Sequence, residues 1–189
     1  MTAESIRALH HALGIPPDYL AARGLPLQPE AGAAELVLVA CAADDHREIH
    51  LVTPAADAWR RMHDAAAADG ITLLPLSGFR SVARQAEIVR AQLAAGRAIG
   101  EVLRLVAAPG CSEHHTGRAL DLGTPGEPPL EEGFATTPAF AWLRRRAREF
   151  GFALSYPPGN PHGIAFEPWH WCWRERPADR ANWQNYAAV

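Results

Sequence analysis

Apolar and polar positions alternate in short runs along this chain, and the runs predict helices and strands in mixed order. Residues 4–13, ESIRALHHAL, suit a short amphipathic helix that ends at Gly14 and the Pro16-Pro17 break. ELVLVA (35–40) and EIHLV (48–52) predict two strands around the polar stretch AADDHR, as in a hairpin. Pro54 stands where a helix would begin, and AADAWRRMHDAAAADG runs from it to a glycine stop at Gly70. ITLLPL (71–76) predicts a strand that delivers its C-terminal end to SGFRS. Val82, Ile88, Val89 and Leu93 then fall roughly at helical spacing up to Gly96, and a second helix over 98–107 stops before Pro109-Gly110.

The second half continues in the same manner. ALDL (119–122) predicts a short strand, 137–150 a helix, and GFALSY (151–156) a strand, with Pro/Gly-rich loops between them. IAFEPWHWCWR (164–174) carries a strand at 169–173, which would put His170 and Cys172 on one face and Trp169, Trp171 and Trp173 on the other. The tail beyond Pro177 predicts a last helix packing Trp183 and Tyr186 onto the body. Without strict alternation of strand and helix, the order predicts an α+β fold with a small central antiparallel sheet flanked by helices. No internal repeat or linker is visible, so residues 1–189 are expected to form one domain.

Composition narrows the function classes. The chain has 189 residues, 48% hydrophobic and 21% charged, enough for a sizeable core. A net charge of -3 gives no basic patch for nucleic acid. The local run Arg144, Arg145, Arg146 and Arg148 is expected to be the solvated face of a helix. No apolar run reaches membrane-span length. Cys41, Cys111 and Cys172 make no disulfide framework. MTAESIRALHHALG lacks the basic and apolar regions of a secretory signal, so a cytoplasmic location is the expectation.

Most of the nine histidines need no function. His10 and His11 are expected on a surface helix, His46 in a polar turn, and His50 and His63 alone in a strand and a helix. Two places differ. In GCSEHHTGRALDLG (110–123), His114 or His115 precedes Asp121, and in EPWHW, Glu167 precedes His170 by three residues. A catalytic zinc needs three nitrogen or carboxylate ligands and an open position. His114, Asp121 and His170 could supply them, leaving Glu167 free to move a proton as water attacks a carbonyl. Each short motif alone is weak, and the pair is stronger. Arg80, at the end of a strand in SGFRS, offers a planar fork of donors for a carboxylate or a developing oxyanion.

SGFRS (77–81), Ser112 to Asp121, Phe150-Gly151-Phe152 and Glu167 to His170, in this order, resemble the VanY-type D-alanyl-D-alanine carboxypeptidases. These belong to the LAS zinc peptidases, which share the hedgehog fold. The resemblance covers about residues 54–175 and leaves 1–50 as an N-terminal extension packed on that part. It implies that His114, Asp121 and His170 are the zinc ligands, with His115 flanking the site. Glu167 is implied as the general base, Arg80 as the group at the scissile region, and Ser112 and Gln85 as substrate contacts.

The implied reaction is hydrolysis before a C-terminal D-amino acid of a peptidoglycan-type peptide. An L,D-carboxypeptidase, a D,D-dipeptidase or a cell-wall endopeptidase are neighbouring readings. A non-catalytic zinc module is the rival from another class, against which Glu167 and the open position argue. Ser155 stands where the family commonly has arginine, and His162 where threonine is common. Substrate detail is therefore the part the resemblance leaves open, together with the oligomeric state. His162 is expected to be a loop residue, and Cys111 and Cys172 bystanders. Gly117 and Ala119 are expected to be small because the chain passes close to the metal.

Overall fold

The computed structural model describes residues 1–42 and 46–175. The N-terminal part holds helices α1 (Ala3–Ala12) and α2 (Tyr19–Arg23), followed by strands β1 (Leu36–Cys41) and β2 (Glu48–Val52). These strands pair antiparallel from Leu36↔Val52 to Cys41↔Glu48, as the hairpin pattern predicts. Helix α3 (Thr53–Ala68) follows with Pro54 in its first turn, where the missing N–H is no loss. Strand β3 (Leu74–Ser77) leads to helices α4 (Val82–Ala94) and α5 (Ile99–Leu105). Ser81 caps α4 by accepting the N–H of Arg84. Next come β4 (Ala119–Gly123), α6 (Pro138–Arg146), β5 (Phe152–Leu154) and β6 (His170–Trp173).

The central sheet has the order β3-β4-β6-β5, and each pairing is antiparallel. This is the predicted α+β architecture. Period-2 alternation gives its two faces different jobs. Leu120 and Leu122 of β4 and Trp171 of β6 point into a core shared with Trp59 and Met62 of α3 and Trp142 and Leu143 of α6. Asp121 and His170 necessarily point the other way. A second core lies on the helical side. It gathers Leu13, Ile15 and Tyr19 with Ala86 and Val89 of α4, Val102 and Leu103 of α5, and Tyr156 and Ile164. Burying an aliphatic or aromatic side chain of this kind contributes about 1.5–3 kcal/mol.

Several expectations shift in detail. Helix α2 was not predicted. The helix expected over 137–150 ends at Arg146 and tightens into a 3-10 turn, Ala147–Phe150. The strand expected over 71–76 begins only at Leu74. Within 164–174 only His170–Trp173 pairs as a strand, because a turn closes from the His170 N–H to the Glu167 carbonyl just before it. The three tryptophans do pack on the first core.

His10 corrects the surface reading: it is buried, and its Nε2 lies 2.7 Å from the Pro109 carbonyl oxygen. The arginines of α6 meet the expectation of a solvated face, with Arg146 pairing to Asp69 and Glu149. The predicted tail helix with Trp183 and Tyr186 lies outside the described residues. Among the described residues no helix is long and apolar enough to cross a membrane.

The N-terminal segment is fastened to the rest by specific bonds. The Gln28 N–H donates to the Gly110 carbonyl and the Ala31 N–H to that of His115. Arg23 donates to the carbonyls of Leu103 and Gly163 at 2.9 and 3.0 Å. His162, expected in a loop, sits there with its Nδ1 3.0 Å from the Arg23 carbonyl.

Candidate metal centre

Sheet register builds the centre. Asp121 on β4 lies directly opposite His170 on β6, and on its other side opposite Ser77 at the end of β3. Directly opposed residues are the closest cross-strand neighbours, so two strands far apart in sequence deliver a carboxylate and an imidazole to one point. His114 arrives from the 3-10 turn Glu113–Thr116, whose first N–H groups are capped by Ser112. The His114 Nε2 is 3.1 Å from Asp121 Oδ2, and the His170 Nδ1 is 3.1 Å from Asp121 Oδ1. The two rings meet edge to face with centroids 4.9 Å apart. Among the described residues these three form the group whose donor atoms all lie within 4.8 Å of one another.

The chemistry of the donors fits a catalytic zinc, which takes three nitrogen or oxygen ligands and keeps a fourth position open. The outward ring nitrogens are occupied as ligating histidines require. His114 Nδ1 is 2.7 Å from the Gly78 carbonyl, and His170 Nε2 is 3.0 Å from Glu113 Oε2. Gly78 is obligatory for this approach: a Cβ there would lie 2.5 Å from the His50 carbonyl oxygen.

Electrostatics treat the three side chains differently. Burial holds His114 below the usual imidazole range, which keeps it neutral and able to ligate. Burial would raise Asp121, but His114 and His170 outweigh it and hold the carboxyl far below its usual range. Burial alone would lower His170, yet hydrogen bonds to Asp121 and Glu113 push it up to about 10. A metal there has to displace that proton from Nδ1.

Glu167 stands at the edge of the triad, its Oε2 3.7 Å from His170 Nδ1. Its N–H donates to the Tyr156 carbonyl, which fixes the loop. Burial raises its carboxyl to about 7, against the pull of His170. That is a suitable value for a group that both takes and returns a proton near neutrality. Arg80 lies on the opposite flank, 3.8 Å from Asp121 Oδ2. Both line a cleft of about 400 Å³ together with His114, Asp121 and His170. Ile88, Leu105, Leu130, Ile164 and Phe166 supply its apolar walls.

The two expected substrate contacts are placed differently from the triad. Gln85 is buried in α4; its Oε1 accepts from Arg80 Nη1 at 3.0 Å while its Nε2 donates to the Ala107 carbonyl. It lines the cleft but braces Arg80, as does Ser77 Oγ, 3.2 Å from Arg80 Nη2. Ser112 also lines the cleft and spends its oxygen on the His114 N–H.

His115 is fully buried and turned away from the triad: Nδ1 donates to the Arg80 carbonyl at 2.6 Å, and Nε2 accepts the Gly110 N–H. Gly117 corrects the expectation of a tight pass by the metal. It has φ +64, and a Cβ there would press on Leu36 and Val52 of the hairpin. Cys111 is buried, with its thiol pushed up to about 12, and Cys172 is buried on the His170 face. Neither belongs to the converging group.

Sequence reasoning missed Glu113 and Tyr156. The Tyr156 ring lies 4.8 Å from that of His170 and lines the cleft. Glu113 sits beside a ligand in sequence, but nothing in its spacing says that it serves the other histidine, 57 residues away.

Comparison with known proteins follows the same lines. The family model for VanY, D-alanyl-D-alanine carboxypeptidase, matches residues 48–176. A D-alanyl-D-alanine carboxypeptidase of Enterococcus faecalis is 34% identical over 122 residues, which is 58% of this chain and 43% of that protein. The chain thus spans less than half of that relative's length. Among solved structures, the LdcB LD-carboxypeptidase superimposes with a TM-score of 0.67 at 30% identity, covering 78% of this chain and 71% of that one. A variant of the D,D-pentapeptidase VanY of the VanB-type resistance cassette, in complex with Zn(II), gives a TM-score of 0.58 at 26% identity. That match covers 79% of this chain and 84% of the other.

Proposed function

Because this chain belongs to the VanY family of D-alanyl-D-alanine carboxypeptidases, we propose that it is a zinc peptidase that removes a C-terminal D-alanine from peptidoglycan-type peptides. The observation that carries the reading is one cleft holding three converging ligand atoms, a carboxyl raised to about 7 and a braced guanidinium. A structural zinc site has no use for the last two.

His114, Asp121 and His170 would hold the zinc, which would supply Lewis-acid polarisation of the scissile carbonyl and lower the pKa of a water so that it is readily deprotonated. Glu167 takes the proton from the attacking water and returns it to the leaving amine. Arg80, held by Gln85 and Ser77, is suited to pair with the substrate's C-terminal carboxylate or with negative charge growing on the carbonyl oxygen. The apolar cleft walls limit water around these groups, which strengthens each charge interaction.

An L,D-carboxypeptidase is the second reading, favoured by the likeness to the LdcB structure. The test is product analysis with purified, zinc-loaded protein on three substrates: a pentapeptide stem ending in D-Ala-D-Ala, a tetrapeptide stem ending in an L,D bond, and free D-Ala-D-Ala. Release of one alanine from the pentapeptide supports the first reading. Preferential cleavage of the tetrapeptide supports the second, and of the dipeptide a dipeptidase. No release from any of them sinks the proposal.

A further inference from the structure

Of the acidic side chains around the triad, two are nearly buried and touch His170, yet they meet opposite edges of its ring. Glu167 is on the Nδ1 side, at 3.7 Å, and lines the cleft. Glu113 is on the Nε2 side, at 3.0 Å, and lines a separate hollow behind β6 with Thr116, Arg118, Cys172 and Arg174. Its oxygens are fully engaged. Oε2 accepts from His170 Nε2 and from Ser155 Oγ at 2.5 Å, and Oε1 accepts from Arg174 Nη2 at 2.8 Å. A carboxylate committed to three donors, with the imidazole between it and the other two ligands, is poorly placed to ligate the metal or to meet substrate.

We infer that Glu113 is a positioning residue for the metal: it accepts the Nε2–H of His170, and so leaves Nδ1 as the lone-pair nitrogen aimed at the ion beside Asp121. Arg174 and Ser155 in turn hold Glu113. The physical reason is tautomeric. A neutral imidazole carries one N–H, and the nitrogen given a strong acceptor keeps it. Without Glu113, His170 can instead place its proton on Nδ1, which already has Asp121 Oδ1 at 3.1 Å as an acceptor. That tautomer cannot bind a metal through Nδ1. The arrangement joins a residue at the end of β6, one at the end of β5 and one in the 3-10 turn, through a single ring, to the centre.

The inference rests on reading the triad as a zinc site, and zinc affinity tests the two separately from peptidase activity. Affinity is measured by competition with a chromophoric chelator, with the visible spectrum of the Co(II)-substituted protein as a second readout. Loss of an outer-shell partner of this kind weakens metal binding by about 10–100-fold. Glu113→Ala is expected in that range, with an altered Co(II) spectrum. Glu113→Gln keeps an acceptor but no charge, and should fall between Glu113→Ala and the unaltered protein.

Should Glu113→Ala fail to fold, Arg174→Ala decides: it should weaken zinc several-fold in the unaltered protein and have no further effect in Glu113→Gln, because the charge it holds is gone. Zinc affinity of folded Glu113→Ala within twofold of the unaltered protein, or equal effects of Arg174→Ala in both backgrounds, overturns the inference alone. An unaltered protein that binds no zinc overturns both it and the reading beneath it.

Discussion

The two faces of the central sheet are made from alternate residues of the same strands, yet they obey opposite rules. On one face Leu120, Leu122 and Trp171 are buried among apolar neighbours and serve packing. On the other, Asp121 and His170, one residue removed from them in sequence, are just as buried but ionisable. Buried charge is costly unless paired, and here each group is matched by a partner of opposite sign or by a carbonyl. The stable face thereby fixes the functional one. A slip of one residue in β4 against β6 would turn Asp121 into the core and Leu122 into the cleft.

This contrast can be broken from either side. His170→Ala removes a ligand, so zinc measured by elemental analysis should fall close to zero and hydrolysis with it; unchanged zinc content would remove His170 from the centre. Glu167→Gln should keep zinc while slowing turnover by about 10²–10⁴-fold, the usual range for losing a general base. A fully active variant would reassign the base.

On the packing face, Leu122→Ala should cost about 2–5 kcal/mol in denaturant unfolding. It should still bind zinc under native conditions, and loss of zinc by the folded variant would mean the faces are not separable. The unaltered protein should lose turnover on the acid side, because only ionised Glu167 accepts a proton. Burial raises it to about 7, and the positive charge of bound zinc pulls it down, so the limb should lie at or below pH 7. A pH profile with no acid limb would argue against a carboxylate base.

The smallest expected effect on the metal is that of His115→Ala. This side chain joins the Arg80 and Gly110 backbones, so stability should drop by about 1–3 kcal/mol for the groups left unpaired. Zinc content should stay, whereas His114→Ala should lose it.

Much of this layout was legible in the chain. The hairpin strands, α3, α4 and β4 follow from periodicity and from Pro and Gly punctuation, signals carried by neighbouring residues. The resemblance named His114, Asp121 and His170, whose donor atoms the fold brings together, and it put His114 before His115. Their divergence has a local physical cause: successive residues of a 3-10 turn point about a third of a turn apart. Contacts between distant segments were less legible. His10 looked like a surface residue, since its cover, the Pro109 loop, comes 99 positions later. Gln85 was expected to meet substrate; it lines the cleft, and its bond to Arg80 was not visible in the sequence. Glu113 carried no visible signal at all.

By itself, then, the amino-acid sequence determined which residue types were available for metal chemistry, and the short elements that carry them. These depend on contacts within one turn or one strand. Tertiary structure alone decided that Asp121 faces His170, that the two glutamates meet opposite edges of one imidazole, and that Gln85 braces Arg80. Each of those depends on antiparallel register or on a loop crossing tens of residues, where the energy comes from burying distant groups together and no local pattern records it.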